Sequence, residues 1–396
     1  MSGMTGRGRV VECSTGLRWR VVFPDVEHDA ACGYLRDLAA SDCSPATLRS
    51  YGFDLLRWLR FLEARSVDWR RAERIDVREL VELLRETPNP QRARRRDSAA
   101  VSGSINVVTG KPELSSTYAP RTINHQLSVL AGFYDWAVTF GLGPLVNPVP
   151  PQRSRGHVGG RVHAHHNPQE DFARHRRARY RQKVPVESWR GMTDMAADQL
   201  FSVLRCNRDR ALVAFWLTSG ARASELLGLR HGDIDVGRST ITVVSKGSRL
   251  RQPVPASVDA FVWLALYLAE DPAPPQQPGG PVWWTRQGQQ RRPLTYHGAR
   301  AVLQRANAGL GTNWTLHDLR HTAAARLIAD PGFTLVDVQT VLRHAQVTTT
   351  QLYLQPRLDE VVAKVVEHYA KPPAPPARLD VQYDTAQVAE LLGLDL

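Results

Sequence analysis

The sequence has few cysteines and no long apolar run. Its four cysteines (Cys13, Cys32, Cys43 and Cys206) are scattered without a Cys-x-x-Cys pair, so we predict neither a disulfide framework nor a zinc site. Apolar runs such as Ala211–Leu217 are far shorter than the roughly 20 residues that span a bilayer. The chain lacks a signal-like N-terminal stretch and a G-x-x-x-x-G-K-[ST] phosphate loop. We therefore expect a cytoplasmic protein that uses no membrane, no nucleotide and no other cofactor.

Acidic residues are outnumbered by basic ones. The 396 residues include 51 Lys and Arg against 39 Asp and Glu, a formal charge of +12. This excess suggests a polyanionic partner, although a ribosomal or membrane-surface protein would fit it equally well. Six positive charges are concentrated in one short run: Arg174, Arg176, Arg177, Arg179, Arg181 and Lys183. Such a run is a solvated face about as often as a nucleic-acid contact; its position in an already basic chain favours contact with DNA.

The pattern of apolar residues and prolines divides the chain into five segments. They are a leader (1–24), a helical domain (25–150), a basic linker (151–190), a second domain (191–371) and a Pro-rich spacer with a C-terminal tail (372–396). The prolines that follow Asn147 end the first domain, because consecutive prolines cannot continue a helix. We expect a mainly α protein with a small antiparallel β-sheet in the second domain.

Helical spacing and capping residues predict the elements of both domains. In the first, we expect an edge strand within Gly16–Phe23, a long basic loop at 88–119, and helices at Val26–Leu38, from Ser44-Pro45, at Val77–Arg85 and at Arg121–Phe140. In the second, we expect a helix capped at Thr193, strands at Thr240–Ser245, Gln252–Pro255 and Val282–Thr285, and helices at His297–Ala306, His317–Ala329, Leu335–Leu342, Thr348–Leu354 and Leu358–Tyr369.

Five polar residues in the second domain suggest chemistry on a phosphodiester. They are Arg222, His317, Arg320, His344 and Tyr353. Guanidinium groups stay charged and bind phosphate oxygens bidentately, and a tyrosine hydroxyl can act as a nucleophile if its proton is removed. Taken singly, each has an ordinary explanation: an isolated His-x-x-Arg is usually a surface pair, and tyrosines on amphipathic helices are usually core residues.

The motifs around these residues resemble those of the tyrosine recombinase (phage integrase) family, and the resemblance is close over 193–370. The first is Thr-Ser-Gly-Ala-Arg-Ala-Ser-Glu-Leu-Leu-Gly-Leu, which contains Arg222 and Glu225. The second, His-Asp-Leu-Arg-His-Thr, begins at His317. The third is Leu-Arg-His ending at His344, followed nine residues later by Tyr353. The region 25–145 looks like the helical, SAM-like core-binding domain of the same family.

The resemblance implies a role for each residue. Arg222 and Arg320 would clamp the scissile phosphate, and His344 would support the clamp. His317 would hydrogen-bond the phosphate and help to take the proton of Tyr353, which would attack phosphorus to give a 3′-phosphotyrosyl link.

Three further residues follow from the same comparison. Lys246, in a predicted hairpin turn, sits where the family has its general acid. Glu225 is assigned a structural role, either pairing with basic groups or capping a turn, on the same helix as Arg222. Arg343 stands where the family usually has glycine. The loop 88–119 is longer than a minimal core-binding domain needs.

The resemblance also implies partners. They would be specific half-sites of double-stranded DNA, bound by a homotetramer that is monomeric when free, with an accessory recombinase or directionality factor as a possible addition. Strand exchange would pass through a Holliday junction. A leader of about 24 residues, too short for an arm-binding domain, favours a simple recombinase or a mobile-element transposase over an arm-site integrase. We expect a site-specific recombinase of the integrase/transposase kind, encoded by a mobile element. Two alternatives stay open: a catalytically inactive DNA-binding regulator and a type IB topoisomerase-like strand relaxase.

Overall fold

The chain folds into two compact units, Met1–Glu187 and Ser188–Leu396. The computed structural model describes residues 7–14, 18–90, 101–150, 179–185, 191–245, 249–270, 277–286, 291–343 and 366. In the part of the chain so described, no helix combines the length and apolar character needed to cross a membrane.

The first unit is a helical bundle that carries a short antiparallel hairpin. Its described elements are β1 (Arg9–Glu12), β2 (Trp19–Val22), α1 (Asp29–Ala40), α2 (Pro45–Ala64), α3 (Arg74–Glu86) and α4 (Pro120–Thr139). The predicted helices are confirmed, with ends that differ by no more than three residues. The predicted edge strand is confirmed as β2. Its partner β1, which pairs Arg9 with Val22 and Glu12 with Trp19, was not predicted.

Local signals and aromatic packing explain this bundle. The Ser44 hydroxyl accepts a hydrogen bond from the Thr47 amide at 3.2 Å, and Pro45 occupies the first turn of α2, as helix N-termini favour. In the core, the indole of Trp58 donates to the hydroxyl of Tyr134 at 2.8 Å, and that hydroxyl donates to the Trp69 carbonyl at 3.0 Å. The buried polar tips of the aromatic side chains are therefore satisfied, as close packing requires.

The second unit is built around one central helix, α6 (Asn207–Ser219), and carries a three-stranded sheet. Its described elements are α5 (Asp194–Val203), α6 (Asn207–Ser219), α7 (Ala223–Leu227), β3 (Ile234–Asp235), β4 (Thr240–Val244), β5 (Arg251–Pro255), α8 (Val258–Glu270), α9 (Tyr296–Leu310), α10 (Leu316–Ala329) and α11 (Leu335–Leu342). The strands are antiparallel in the order β3-β4-β5. The Thr193 hydroxyl caps α5, accepting from the Ala196 amide at 3.2 Å, as predicted.

The central helix α6 is buried on nearly every side. It packs against α8 and α10, and Phe215 and Trp216 are almost completely enclosed. A helix enclosed in this way has no polar face and so lacks the amphipathic pattern from which helices are recognised. The helix α6 was not predicted for that reason. Nor was α8, whose exposed positions include the apolar residues Val258, Val262 and Leu266, so that it too lacks a clear polar face.

One strand prediction in this unit is wrong. Val282–Thr285 does not form a strand; Pro281 and Trp284 take part only in isolated bridges, with Arg230 and Pro293. Proline cannot donate to a β-ladder, which limits pairing on both sides of this segment. The buried Trp283 instead donates through its indole to the Leu226 carbonyl at 2.7 Å. The predicted helices Thr348–Leu354 and Leu358–Tyr369 lie outside the described residues, apart from Val366.

Candidate active site

Arg222 lies in the sharp connection between α6 and α7. The preceding Gly220 ends α6 with φ of +58°, and a Cβ there would come within 2.8 Å of Leu342 Cδ2, so glycine suits both the backbone and the space. Arg222 is extended (φ −68°, ψ 151°) and is the N-cap of α7. The expectation that it shares a helix with Glu225 is corrected: it precedes that helix, because its backbone must turn out of α6.

His317 and Arg320 lie in the first turns of α10. The helix begins at a capping box in which the Thr315 amide donates to an Asp318 carboxylate oxygen at 2.7 Å. The ring of His317 contacts that of His321, with centroids 4.0 Å apart. Arg320 is only 3% exposed, so the first part of α10 holds one motif residue deep in the unit.

The two motif arginines meet at the C-terminal end of α11. Arg320 donates through Nη2 to the Leu342 carbonyl at 2.5 Å and through Nη1 to the Gly220 carbonyl. Arg222 donates through Nη2 to the carbonyl of Arg343 at 3.1 Å. Leu342 and Arg343 are the two residues that directly precede His344. The fold thus joins residues of all three sequence motifs. Arg222 of the first motif and Arg343 of the third are 121 positions apart.

The carboxylate of Glu225 is hydrogen-bonded to two arginines of this cluster. One carboxylate oxygen accepts from Arg222 Nη1 at 2.7 Å; the other accepts from the Arg222 backbone amide at 2.8 Å and from Arg343 Nη2 at 2.7 Å. Burial by itself would raise the pKa of this carboxyl group, but the Arg343 and Arg222 guanidinium groups and the amide outweigh burial and lower that pKa. The structural role expected for Glu225 agrees with these contacts.

Three predicted site residues lie outside the described residues: Lys246, His344 and Tyr353. Lys246 belongs to the segment that joins β4 to β5. The described ends of that segment are joined by a hydrogen bond from the Ser245 amide to the Leu250 carbonyl, 2.9 Å long. The structure therefore tests the positions of Arg222, His317 and Arg320 and leaves these three as predictions.

The predicted DNA-binding run is described only from Arg179 onward; Arg174, Arg176 and Arg177 are outside the described residues. Arg179 and Lys183 are exposed. Arg181 instead turns toward α4, where it donates to the Asn124 carbonyl at 3.0 Å and the Ser128 hydroxyl at 2.8 Å, and burial lowers its pKa.

The Asn124 side chain completes this anchor. Its amide group donates to the Gln182 carbonyl at 3.0 Å and accepts from the Gln182 amide at 2.7 Å. These contacts fix the end of the linker to the first unit. Nothing in the sequence linked Asn124 to residue 182, fifty-eight positions away.

The cluster has the chemistry of an anion site. A guanidinium presents five N–H donors in a rigid fork that fits phosphate oxygens. The Arg222 side chain is 30% exposed, whereas those of Glu225 and Arg343 are 1% and 5% exposed. Of these three side chains Arg222 is therefore the most exposed, and the buried carboxylate and the Arg343 carbonyl hold it in place.

Comparison with known families agrees with this arrangement. The model of the phage integrase family matches residues 192–359, and that of the phage integrase N-terminal SAM-like domain matches residues 32–103. Together the two models cover more than half of the chain. A helical SAM-like unit followed by an α+β unit with paired arginines is the two-domain integrase class of fold, which confirms the predicted fold class.

Individual proteins give the same result. The chain is 38% identical over 151 residues to the tyrosine recombinase XerC of Xylella fastidiosa (strain 9a5c), a match that covers 37% of this chain and 48% of that protein. It is 27% identical over 331 residues to XerC of Chlamydia muridarum (strain MoPn / Nigg), covering 81% and 90%. The Tn1549 transposon integrase in complex with circular intermediate DNA has a similar fold, with a TM-score of 0.56 at 16% identity over 85% of this chain and 98% of that one.

The chain belongs to the tyrosine recombinase (phage integrase) family. In the match to the Xylella protein it spans about half the length of that relative, 48%.

Proposed function

We propose that this protein is a site-specific DNA recombinase that breaks and rejoins DNA through a 3′-phosphotyrosyl intermediate on Tyr353. The observation that supports this most directly is the convergence of Arg222 and Arg320 on the carbonyls of Leu342 and Arg343. Two guanidinium groups are thereby fixed where the chain leads into His344 and the nucleophile. Binding DNA alone would not require a tyrosine at that place in the chain.

In the proposed cleavage step the scissile phosphoryl group is transferred from the 5′-oxygen of the DNA to the oxygen of Tyr353. Arg222 and Arg320 neutralise the two non-bridging oxygens, whose charge is greatest in the transition state. His317 accepts the Tyr353 proton as the tyrosine oxygen attacks phosphorus. The bond from phosphorus to the 5′-oxygen breaks, and Lys246 protonates that oxygen as it leaves. The products are a 3′-phosphotyrosine and a free 5′-hydroxyl.

Rejoining is the same step in reverse, with a 5′-hydroxyl from another strand as the attacking group. His344 supports the clamp by a further hydrogen bond to the phosphate. The tyrosyl ester conserves the energy of the phosphodiester, so rejoining requires no nucleotide hydrolysis. Two such exchanges in sequence pass through a Holliday junction and need four copies of the chain on two DNA sites.

We assign DNA binding to residues 25–150 and catalysis to residues 191–371, with the basic linker 151–190 along the DNA backbone. Among the linker cations that the structure describes, the exposed Arg179 and Lys183 are the ones available for phosphate contact, because Arg181 is engaged with α4. Phosphate contacts of this kind set affinity and register without reading sequence.

The biological setting that we propose is integration or transposition of a mobile element, and the fold shared with a transposon integrase supports it. The relatives matched by sequence carry the name XerC, which favours a second setting, a recombinase of the Xer type that acts at a resident site. Recombination scored as deletion between two sites on one plasmid, against insertion between sites on two separate molecules, distinguishes the two settings.

The decisive test is a covalent-adduct assay. Half-site duplexes, selected from random DNA by binding to the chain, carry a nick just beyond the scissile phosphate, so that cleavage releases a short fragment and traps the adduct. They are incubated in EDTA with wild type, Tyr353→Phe and Tyr296→Phe. Tyr296 lies on α9 and is 51% exposed, so it controls for the loss of a tyrosine hydroxyl elsewhere in the same unit.

We expect an SDS-resistant protein–DNA band with wild type and Tyr296→Phe and none with Tyr353→Phe. Binding without a band in any of the three would favour a DNA-binding regulator. A band accompanied by relaxation of supercoiled plasmid lacking a second site would favour the topoisomerase-like activity. A band that survives Tyr353→Phe would refute the assignment of the nucleophile.

A further inference from the structure

We propose that Arg343 is a positioning residue for cleavage. It shares the buried Glu225 carboxylate with Arg222, which keeps Arg222 aligned and leaves the cluster with a net positive charge toward the scissile phosphate. This inference rests on the proposed function. Arg343 occupies a position where the family usually has glycine, so the device belongs to this chain's own variant of the site.

The contacts of Arg343 place it behind Arg222. Its Nη2 donates to Glu225 Oε2 at 2.7 Å, and Arg222 Nη1 donates to the other oxygen of the same carboxylate, Oε1, at 2.7 Å. Arg222 Nη2 also donates to the Arg343 backbone carbonyl at 3.1 Å. The Arg343 side chain is 5% exposed against 30% for Arg222. Arg343 Nη1 donates to the Val341 carbonyl at 2.8 Å, so both terminal nitrogens of Arg343 are engaged within the protein and it acts through its neighbours.

The charge of the cluster gives this contact a consequence. One carboxylate between two guanidinium groups leaves a net charge of +1. If Glu225 had Arg222 as its only cation, that pair would be neutral, and the carboxylate would compete with phosphate for the same N–H donors. Charge–charge interactions are strong where both groups are buried, as Glu225 and Arg343 are. Because Arg343 offsets the charge of Glu225, the positive charge of Arg222 remains available to attract a phosphate.

The backbone at Arg343 separates the role of its side chain from that of its carbonyl. Arg343 ends α11 with φ of +54° and ψ of 48°, a left-handed conformation that glycine adopts without strain and arginine does not. The geometry of the carbonyl that receives Arg222 therefore does not require an arginine. Replacement by glycine keeps that backbone geometry and removes only the side chain, including its guanidinium.

The test measures single-turnover adduct formation on the nicked half-site by the full chain. The variants are Arg343→Gly, Arg343→Met and Arg343→Lys, together with Arg343→Met combined with Glu225→Gln. Arg208→Met is the matched control, because Arg208 is also a buried arginine of this unit and pairs with the carboxylate of Asp209 at 2.6 Å. Each variant is also measured for its affinity for DNA and for its melting temperature.

We expect Arg343→Met and Arg343→Gly to slow cleavage about tenfold or more, with DNA affinity within about threefold of wild type, since the lost stabilisation belongs to the transition state. Arg343→Lys should retain part of the rate because it keeps the charge. Adding Glu225→Gln to Arg343→Met should restore part of the rate, because a neutral amide no longer cancels the Arg222 charge. A purely structural role for Arg343 predicts the opposite, a double variant worse than either single one.

A second readout uses DNA with a methylphosphonate at the scissile position, which carries one negative charge fewer. The deficit of Arg343→Met relative to wild type should shrink on this substrate. The inference is overturned if the Arg343 variants cleave within twofold of wild type, if Arg208→Met slows cleavage equally, or if Glu225→Gln restores nothing. If wild type itself forms no adduct, the proposed function fails first and the inference fails with it. If Arg343→Met does not fold, Arg343→Gly combined with Glu225→Gln provides the same comparison.

Discussion

Replacing each of the two clamp arginines by alanine should separate their contributions to stability. Arg320 is 3% exposed and hydrogen-bonds the carbonyls of Gly220 and Leu342. Arg320→Ala leaves two buried acceptors without these donors, at about 1–3 kcal/mol each. For a unit of 150 to 250 residues, about 1 kcal/mol shifts the melting temperature by roughly 2–4 °C. The expected loss is therefore about 2–6 kcal/mol, or roughly 4–24 °C.

Arg222→Ala is the matched comparison. Its side chain is 30% exposed, and Glu225 keeps its ion pair with Arg343 and its bond to the residue 222 amide. We expect a loss of only about 1–2 kcal/mol. Both variants should abolish adduct formation, so activity alone cannot distinguish them.

Thermal unfolding of the DNA-free chain, followed by tryptophan fluorescence, measures the difference. Equal melting temperatures for Arg320→Ala and wild type would refute the argument that Arg320 ties the ends of α6 and α11 together. A loss in Arg222→Ala as large as that in Arg320→Ala would show that Arg343 does not compensate Glu225.

Three further changes test other parts of the structure. Gly220→Ala should destabilise the second unit by about 1–3 kcal/mol, measured by chemical denaturation, because its φ is +58° and the new Cβ would lie 2.8 Å from Leu342. Asn124→Ala should speed proteolysis within 179–185 without altering the helical circular dichroism, since it removes two bonds to the linker backbone. The hydrogen bond with Asp54 raises the pKa of His125, so this pair stabilises the fold below the unfolded pKa of about 6.5. That stability should be lost as pH rises through the higher folded pKa, and His125→Gln should remove this pH dependence of unfolding.

Elements with a local signal could be predicted from the sequence, whereas enclosed ones could not. The start of α2 follows from Ser44 and Pro45 alone, and α4 from its apolar spacing. The helix α6 lacks a polar face because α8 and α10 cover it, and the two residues of β3 are too few to show alternation.

The candidate site divides in the same way. The motifs identified Arg222, His317 and Arg320, and Glu225 was expected to pair with basic groups or to cap a turn. The sharing of Glu225 with Arg343 could not be predicted, because this buried ion pair joins positions 118 residues apart. Nor could the use of main-chain carbonyls as anchors for the arginines, since carbonyls leave no trace in a sequence.

The linker anchor has a practical consequence for protein engineering. Asn124 holds the main-chain amide and carbonyl of Gln182, groups that every residue except proline supplies. The side chain at 182 can therefore change, and the sequence that follows can come from another family member, without loss of this attachment. Residue 182 is therefore a suitable position at which the first unit of this chain can be joined to the second unit of another family member.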